Sequence, residues 1–471
     1  MEKLKVFLVC MRADNFDGGL QKNFAEAVSA LKTRAGELDY SFSHYPELVL
    51  TPDDAQKACR MIRETAPDFL MVQMTAFPSG EAFIRLAKTC ARIGLWGLPE
   101  ASYEGSNFVN SNNSFCGMNM AGGIITHYLK DLGIDYKWFF GHPSDVRFRR
   151  RFELTVRALD AVKKTASSRV ALVGGIAPGF NDLYYDERTA LTHLGVEIQR
   201  GHEFSEIQKR AHAYKDGEVE RLASCYACQH CAEDVGAREL AMSARYFKAY
   251  QDFAAENGYD ALAVSCWPQI KEDALACSII GKLNEAGVPA SCEGDVPGAI
   301  SMMMLRYITG QPATLMDLCG VDEQDETALM WHCGPSPECY ADDRGATTTH
   351  SRQLNLAGGV DSFALIHDLV FKPQPVTFMR ITGEWDTLFL LDGRVIDKPK
   401  ASPDGSRGWI GSLRLNRRPV KTRDLVNTIL TNGFQHHYPM MAGDVTEVCL
   451  ELASWLGLGL LPVVEYEDYK Q

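Results

Sequence analysis

The chain opens on an apolar run, KVFLVCM, and continues into LQKNFAEAVSALKTRA, where apolar residues recur every three or four positions. The first pattern suits a buried strand and the second an amphipathic helix. The alternation carries on through DFLMVQM and EAFIRLAKTCARI, then GLWGLPE and GGIITHYLKDLG, and ends at DYKWFFG. Short apolar runs separated by helices of this length predict βαβ units around a parallel sheet. A helical segment over residues 145 to 165 leads to a break at Thr165 to Ser168. A second alternation begins there with RVALVGG, DERTALTHLG and VEIQRG. After a long helical region it resumes as DALAVSCW, EDALACSIIGKLNEAG, PASCEG and PGAISMMMLRYITG.

Beyond residue 340 the texture turns to strands: FALIHDLVF, PVTFMRITG, DTLFLLDGRVID and RGWIGSLRL, with Asp392-Gly393 read as a hairpin turn. Two further helices, TRDLVNTILTNG and VTEVCLELASWLG, flank a loop that holds His436 and His437. The expected fold is therefore α/β: two Rossmann-like domains with parallel sheets, residues 1–166 and 167–340, followed by a β-rich domain, 341–471.

Composition narrows the function. A chain of 471 residues exceeds one ordinary core, and 46% hydrophobic with 23% charged residues describes a soluble globular protein. No apolar run reaches the roughly 20 residues that span a bilayer, and MEKLKVFLVCMRADN reads as a first strand and not a signal peptide. A net charge of −13 speaks against a nucleic-acid partner. Cysteines such as Cys10, Cys266 and Cys319 sit inside apolar strand patterns, as buried thiols do in a reducing cytoplasm, so a cytoplasmic protein is expected. The cluster C-Y-A-C-Q-H-C, with Cys225, Cys228 and Cys231, has a spacing that holds zinc or an iron-sulfur cluster, but it reads equally as a Cys-rich turn and is taken as structural. The loop VGGIAPGF, Val173 to Phe180, is neither a dinucleotide fingerprint nor a P-loop and is expected to line the cleft.

Glu293, in PASCEGDVPGA, and Asp317, in PATLMDLCG, each follow a short apolar run, and both are expected at the carboxyl ends of the second domain's last strands, where open α/β sheets bind ligands. Joined by one imidazole from the His436-His437 doublet, they make a ligand set for a hard divalent cation with positions left open for substrate. Such a site can chelate the adjacent oxygens of a hydroxy-aldehyde, while the carboxylates relay a proton between its first two carbons. That is aldose-ketose isomerase chemistry through a cis-enediol, with Glu293 and Asp317 as the catalytic pair. Asp295 is the alternative ligand, and an Arg salt bridge is the competing explanation for Asp317. Trp267 and Gln269, in S-C-W-P-Q, are placed to cover a sugar's apolar face and bridge its hydroxyls, or else are a buried Trp and a surface Gln.

The carboxylates lie 24 positions apart (317 − 293 = 24), and Gly443 follows His437 by six (443 − 437 = 6). On these patches the chain resembles the L-fucose and L-arabinose isomerase superfamily, in which a Glu, an Asp or Glu and a C-terminal His bind Mn2+. The resemblance implies Mn2+ at Glu293, Asp317 and His437, with Mg2+ or Co2+ as substitutes, and leaves His436 to contact substrate. It implies that His332, in MWHCGPSP, is a further ligand or a donor to sugar, with His350 as its rival, and that Arg12 reaches a neighbouring protomer's site to meet any anionic group. It also implies a trimer or hexamer. The implied substrate is a hexose, 6-deoxyhexose, pentose or 6-substituted sugar of the sulfoquinovose type. The alternatives are a non-catalytic sugar-binding or sensor protein and a metal-dependent aldolase.

Overall fold

The computed structural model describes residues 2–16, 18–100, 111–224, 226–227, 229–266, 276–351, 365–398 and 400–469. The chain forms two compact units, Met1–Lys163 and Lys164–Gln471. No helix among the described residues is long and apolar enough to cross a membrane.

The first unit is built on five strands, β1 (Lys5–Met11), β2 (Ser41–Val49), β3 (Phe69–Met74), β4 (Arg92–Gly97) and β5 (Asp135–Phe140), in the order β2-β1-β3-β4-β5. All four pairings are parallel. The central strands are apolar on both faces because helices cover both, and Phe7, Val9, Leu70, Val72 and Leu95 form the core with the helices. Strand β2 and the helix Pro52–Thr65 add a unit that the apolar alternation did not reveal. SFSHYPELV is a half-exposed edge strand, and the helix after it starts at a Thr51–Asp54 capping box and not at an apolar run. Arg12 follows β1 and pairs with Asp14 at 3.1 Å.

The second unit begins with a parallel sheet of β6 (Arg169–Val173), β7 (Glu197–His202), β9 (Ala261–Val264) and β10 (Ala290–Ser291), in the order β10-β9-β6-β7. The short β8 (His230–Cys231) belongs instead to the large second sheet. That sheet also contains β11 (Thr314–Asp322), β12 (Thr327–His332), β13 (Thr347–His350), β14 (Leu365–Val370), β15 (Pro375–Ile381), β16 (Thr387–Val395), β17 (Ser406–Leu415), β18 (Arg418–Pro419), β19 (His437–Ala442) and β20 (Gly459–Leu460). Six of these strands close on themselves: β16-β15-β19-β11-β12-β17 and back to β16, every step antiparallel. The ring is a small barrel, and closure removes the open edges that a long antiparallel sheet would otherwise expose. Met316, Met330, Phe378, Phe389, Leu391, Ile410, Tyr438 and Met440 make its core.

Three sequence expectations change here. Asp392-Gly393 is not a turn, because β16 runs straight through it with a register shift against β17 between Asp392 and Arg394. Gly393 is needed for close approach: a Cβ there would stand 2.7 Å from Ile410 Cγ2 and 2.8 Å from the Gly411 carbonyl oxygen. Asp317 likewise does not end a strand of the parallel sheet but lies within β11 of the barrel, where its direct cross-strand partner is His437. His437 opens β19 instead of sitting in a loop. The adjoining pair Met316 and Tyr438 faces the barrel core, so alternation turns Asp317 and His437 to the opposite face. The helix Val296–Thr309, buried along nearly its whole length, packs against β9, β15 and β19 and so joins the parallel sheet to the barrel. Its N-terminus carries Glu293 and Asp295.

Candidate active site

After β10 the chain turns through Cys292-Glu293-Gly294, with left-handed backbone at both Glu293 (φ 60°) and Gly294 (φ 72°). A non-glycine residue held there is strained, and the surroundings enforce it. The Glu293 carbonyl accepts from Ala177 N–H at 3.0 Å, and Gly294 N–H donates to the Val264 carbonyl at 3.1 Å. At Gly294 a Cβ would stand 2.2 Å from the Gly175 carbonyl oxygen. Gly294→Ala should therefore cost at least about 1–2 kcal/mol from the backbone conformation alone and shift Glu293. Thermal unfolding together with Mn2+ titration measures both effects, and a variant that melts and binds like the parent would refute this account of the turn.

His437 Nε2 stands beside one carboxylate from this turn and one from the barrel. His437 Nε2 lies 3.1 Å from Glu293 Oε2 and 3.7 Å from Asp317 Oδ1. Each atom is shielded from solvent and, among the described residues, meets no hydrogen-bond geometry, although His437 Nε2 and Glu293 Oε2 are close enough to form an ion pair when the ring is protonated. Buried polar atoms outside hydrogen-bond geometry are costly, and two carboxylate oxygens beside one imidazole nitrogen fit a cation held between them. Neighbouring ligands of a six-coordinate ion with bonds near 2.1 Å stand about 3 Å apart, close to the observed spacings. Oxygen, oxygen and imidazole nitrogen suit a hard or borderline divalent ion.

The other face of His437 is tied down. Its Nδ1 stands 2.9 Å from Asp295 Oδ2, and Asp295 takes a bidentate pair from Arg380 at 2.6 and 3.0 Å. Arg380 Nε donates to Gln435 Oε1 at 3.2 Å, while Asp295 Oδ1 also caps the helix through Gly298 N–H at 2.9 Å. Asp295, Arg380 and His437 are fully buried. The alternative ligand Asp295 is thus the carboxylate that orients the imidazole, directing Nε2 toward Glu293 and Asp317. Burial opposes charge on His437, but the Asp295 and Glu293 carboxylates outweigh it and hold the ring up to about 10. Burial also opposes ionisation of Glu293, but its carboxyl is held well below the usual range by His436 and His437.

His436 also reaches the centre, with a ligand atom of Asp317, His436 and His437 each within 4.8 Å of the others. Its Nδ1 meets Asp182 Oδ2 at 2.6 Å, its backbone N–H donates to the same oxygen at 3.1 Å, and its Nε2 lies 3.5 Å from Glu293 Oε2. Phe180 lies against the ring, at 5.6 Å between centroids. Asp182 and Phe180 belong to the loop after β6, so this loop reaches the centre. His332 is buried, with Nε2 3.1 Å from Cys292 Sγ. Its Nδ1 accepts from Cys333 N–H at 2.7 Å, which leaves the ring proton on Nε2. His350 is instead engaged by Glu239 at 2.8 Å and Asp234 at 3.3 Å. Trp267, Gln269, Cys225 and Cys228 lie outside the described residues; Cys231 is exposed in β8. Asp182, Arg380 and Gln435 did not stand out in the sequence. Arg380 is one charge within an apolar strand, and nothing local marks it as buried.

No family model matches the chain. The chain is similar to the sulfoquinovose isomerase of Alkalicoccus urumqiensis, 26% identical over 432 residues that cover 89% of this chain and 91% of that protein. The sulfoquinovose isomerase of Priestia aryabhattai is 25% identical over 424 residues, covering 88% and 90%, and that of Clostridium sp. (strain MSTE9) is 26% identical over 429 residues, covering 88% and 89%. A solved ABC-transporter solute-binding protein from Agrobacterium vitis, bound with alpha-D-tagatopyranose, covers 66% of this chain and 90% of its own at 11% identity, but a TM-score of 0.17 carries no argument. Similarity along nearly the whole length to proteins that isomerise a sugar makes this chain an isomerase enzyme, consistent with the L-fucose and L-arabinose isomerase superfamily that its motifs resemble.

Proposed function

We propose that the enzyme is an aldose-ketose isomerase that acts on a 6-sulfonated hexose of the sulfoquinovose type through a cis-enediol. The observation that carries the reading is the placement of Glu293 Oε2 and Asp317 Oδ1 at 3.1 and 3.7 Å from His437 Nε2, three buried ligand atoms outside hydrogen-bond geometry among the described residues. These residues would hold Mn2+, with Mg2+ or Co2+ as substitutes. When bound, such an ion polarises two adjacent substrate oxygens and lowers the cost of charge developing on them. The residues themselves do the rest. Glu293 is ionised near neutrality and stands ready to take a proton from one of the two reacting carbons; Asp317 serves the other. His436, braced by Asp182 and half exposed, faces the substrate side, and Glu293 is fixed by its turn so that the proton is transferred between defined positions.

The relatives' substrate is what supports sulfoquinovose here, and Trp267, Gln269 and His332 are proposed as sugar contacts, with Arg12 reaching a neighbouring protomer's site to meet the sulfonate. The same reading includes a fucose-isomerase-like layout of two Rossmann-like domains and a β-rich one (1–166, 167–340, 341–471), a trimer or hexamer, and action in the cytoplasm. Incubation with sulfoquinovose in D2O, with and without EDTA, tests the core of it. Ketose formation that stops with EDTA and introduces solvent deuterium at the transferred position is expected. Full retention of the substrate hydrogen would point to a hydride shift, and no turnover with this sugar, but turnover with fucose or arabinose, would move the substrate.

The imidazole adds a pH signature. His437 carries a proton up to about pH 10 in the ion-free protein, and that proton and the cation compete for Nε2. Because Glu293 is already ionised at neutrality, cation affinity should rise about tenfold per pH unit toward that value. Mn2+ titrations at three pH values measure the slope, and a flat profile contradicts the competition.

A further inference from the structure

Beside His437 lies a chain of thiols. Cys292 Sγ is 3.1 Å from His332 Nε2, His332 Nδ1 is 3.1 Å from Cys333 Sγ, and Cys333 Sγ is 3.3 Å from Cys277 Sγ. Cys292 and Cys277 are buried, as is His332. Cys292 Sγ and one atom each from Glu293, His332 and His437 all lie within 4.8 Å of one another. Asp317 is absent from this second group, and Cys292 and His332 are absent from the set of two carboxylates and one imidazole described above. Glu293 and His437 thus belong to both sets, while Asp317 is grouped with His436 and the same His437 within 4.8 Å.

They differ in chemistry. The first is oxygen-rich, as hard ions prefer. The second offers one sulfur, two imidazole nitrogens and one carboxylate oxygen, a mixture that zinc-class ions take in tetrahedral geometry. Ligand atoms around such an ion stand about 3.3–3.8 Å apart; Cys292 Sγ to His332 Nε2 and His437 Nε2 to Glu293 Oε2 are each 3.1 Å, and the four ligand atoms lie within 4.8 Å of one another. The fully buried His437 belongs to both sets, its Nε2 outside hydrogen-bond geometry among the described residues.

We propose that Cys292, Glu293, His332 and His437 form a second, thiolate-containing cation site for a zinc-class ion, which excludes the hard cation from the isomerase centre. The proposal rests on the isomerase reading only for the role of the ion displaced. Proton accounting is simple. The Cys292 thiol proton leaves to solvent when sulfur coordinates. The His332 ring proton moves from Nε2 to Nδ1, where Cys333 Sγ can accept it, and the Cys333 N–H contact with Nδ1 is given up. Coordination through His437 Nε2 displaces the proton that this ring carries in the ion-free protein, so Cys292 and His437 release two protons in all, His332 only shifts its own, and no electron moves. Hard ions gain little from a thiolate, so they stay with Asp317, whereas a thiophilic ion exchanges Asp317 for Cys292 and His332.

Co2+ is the probe, since sulfur ligation to it gives a near-ultraviolet charge-transfer band that oxygen and nitrogen ligands alone do not. Metal-free protein titrated with Co2+ should show the band, and Zn2+ should abolish it and release bound Mn2+ as measured by electron paramagnetic resonance. In Cys292→Ser, and in Cys292→Ala as a second variant, the band should vanish and the Zn2+ needed to displace Mn2+ should rise at least about tenfold, the scale of a lost ligand interaction. Mn2+ affinity should change less than about threefold in the same variants, because a hard ion makes little use of sulfur. No band in the parent protein, or a band that survives both substitutions, overturns the proposal. A parent protein that gives the Co2+ band but binds no Mn2+ would instead sink the isomerase reading and leave the thiolate site standing.

Discussion

Glu293→Gln is expected to reduce turnover by at least about 10²–10⁴-fold, the range ascribed to a positioned acid-base group, and to weaken Mn2+ binding in the same protein. The substitution keeps the side chain's length and shape and leaves the left-handed backbone as it was. It removes an anion 3.1 Å from His437 Nε2, whose other carboxylate neighbour is Asp317 at 3.7 Å, and with it both the proposed ligand and the proposed proton acceptor. The backbone bonds from Ala177 and to Val264 do not involve the carboxylate, so the turn should survive and circular dichroism should be unchanged. Two measurements separate the roles. If saturating Mn2+ restores turnover, Glu293 serves mainly as a ligand; if Mn2+ saturates and turnover stays low, it is the base. Near-normal kcat/KM at sub-saturating Mn2+ would remove Glu293 from the centre altogether.

The parts of this centre legible in the sequence were those announced by residue type. Glu293 beside a glycine, Asp317 among apolar neighbours and the His doublet each look out of place locally, which is why they could be grouped before any coordinates. The parts that were not legible depend on long-range register. Asp182 reaches His436 across 254 positions and Arg380 reaches Asp295 across 85, and neither pairing leaves a local mark. The same reason explains the errors of topology. Asp317 follows an apolar run, as a strand-end residue of a parallel sheet would, and only its pairing with His437 reveals that it belongs to the barrel. Asp-Gly between apolar runs has the composition of a hairpin turn, but at Gly393 the glycine is selected by the closeness of Ile410 and Gly411 on the neighbouring strand. Periodicity reports burial along one segment; it is silent on which segment lies opposite.

Arg380→Met should destabilise the protein by about 3–5 kcal/mol, because it leaves the Asp295 carboxylate buried with its main counter-charge gone. Asp295 loses the bidentate pair and keeps only the Gly298 cap and His437 Nδ1 as donors. The stability loss alone would not show what the pair does for the site, and a double substitution does. In Arg380→Met with Asp295→Asn no charge is left unpaired, and Asn remains a good helix cap, so much of the lost stability should return. Cation affinity should not return with it. The carboxylate that held the His437 proton on Nδ1 is gone, the amide can present its nitrogen as readily as its oxygen, and Nε2 is no longer directed at Glu293 and Asp317; the loss of such a partner costs about 10–100-fold in metal affinity. Chemical denaturation and Mn2+ titration of the parent, single and double variants read the two quantities independently. A double variant that regains both would make Asp295–Arg380 a structural pair only, whereas stability restored without cation binding identifies it as the device that aims His437.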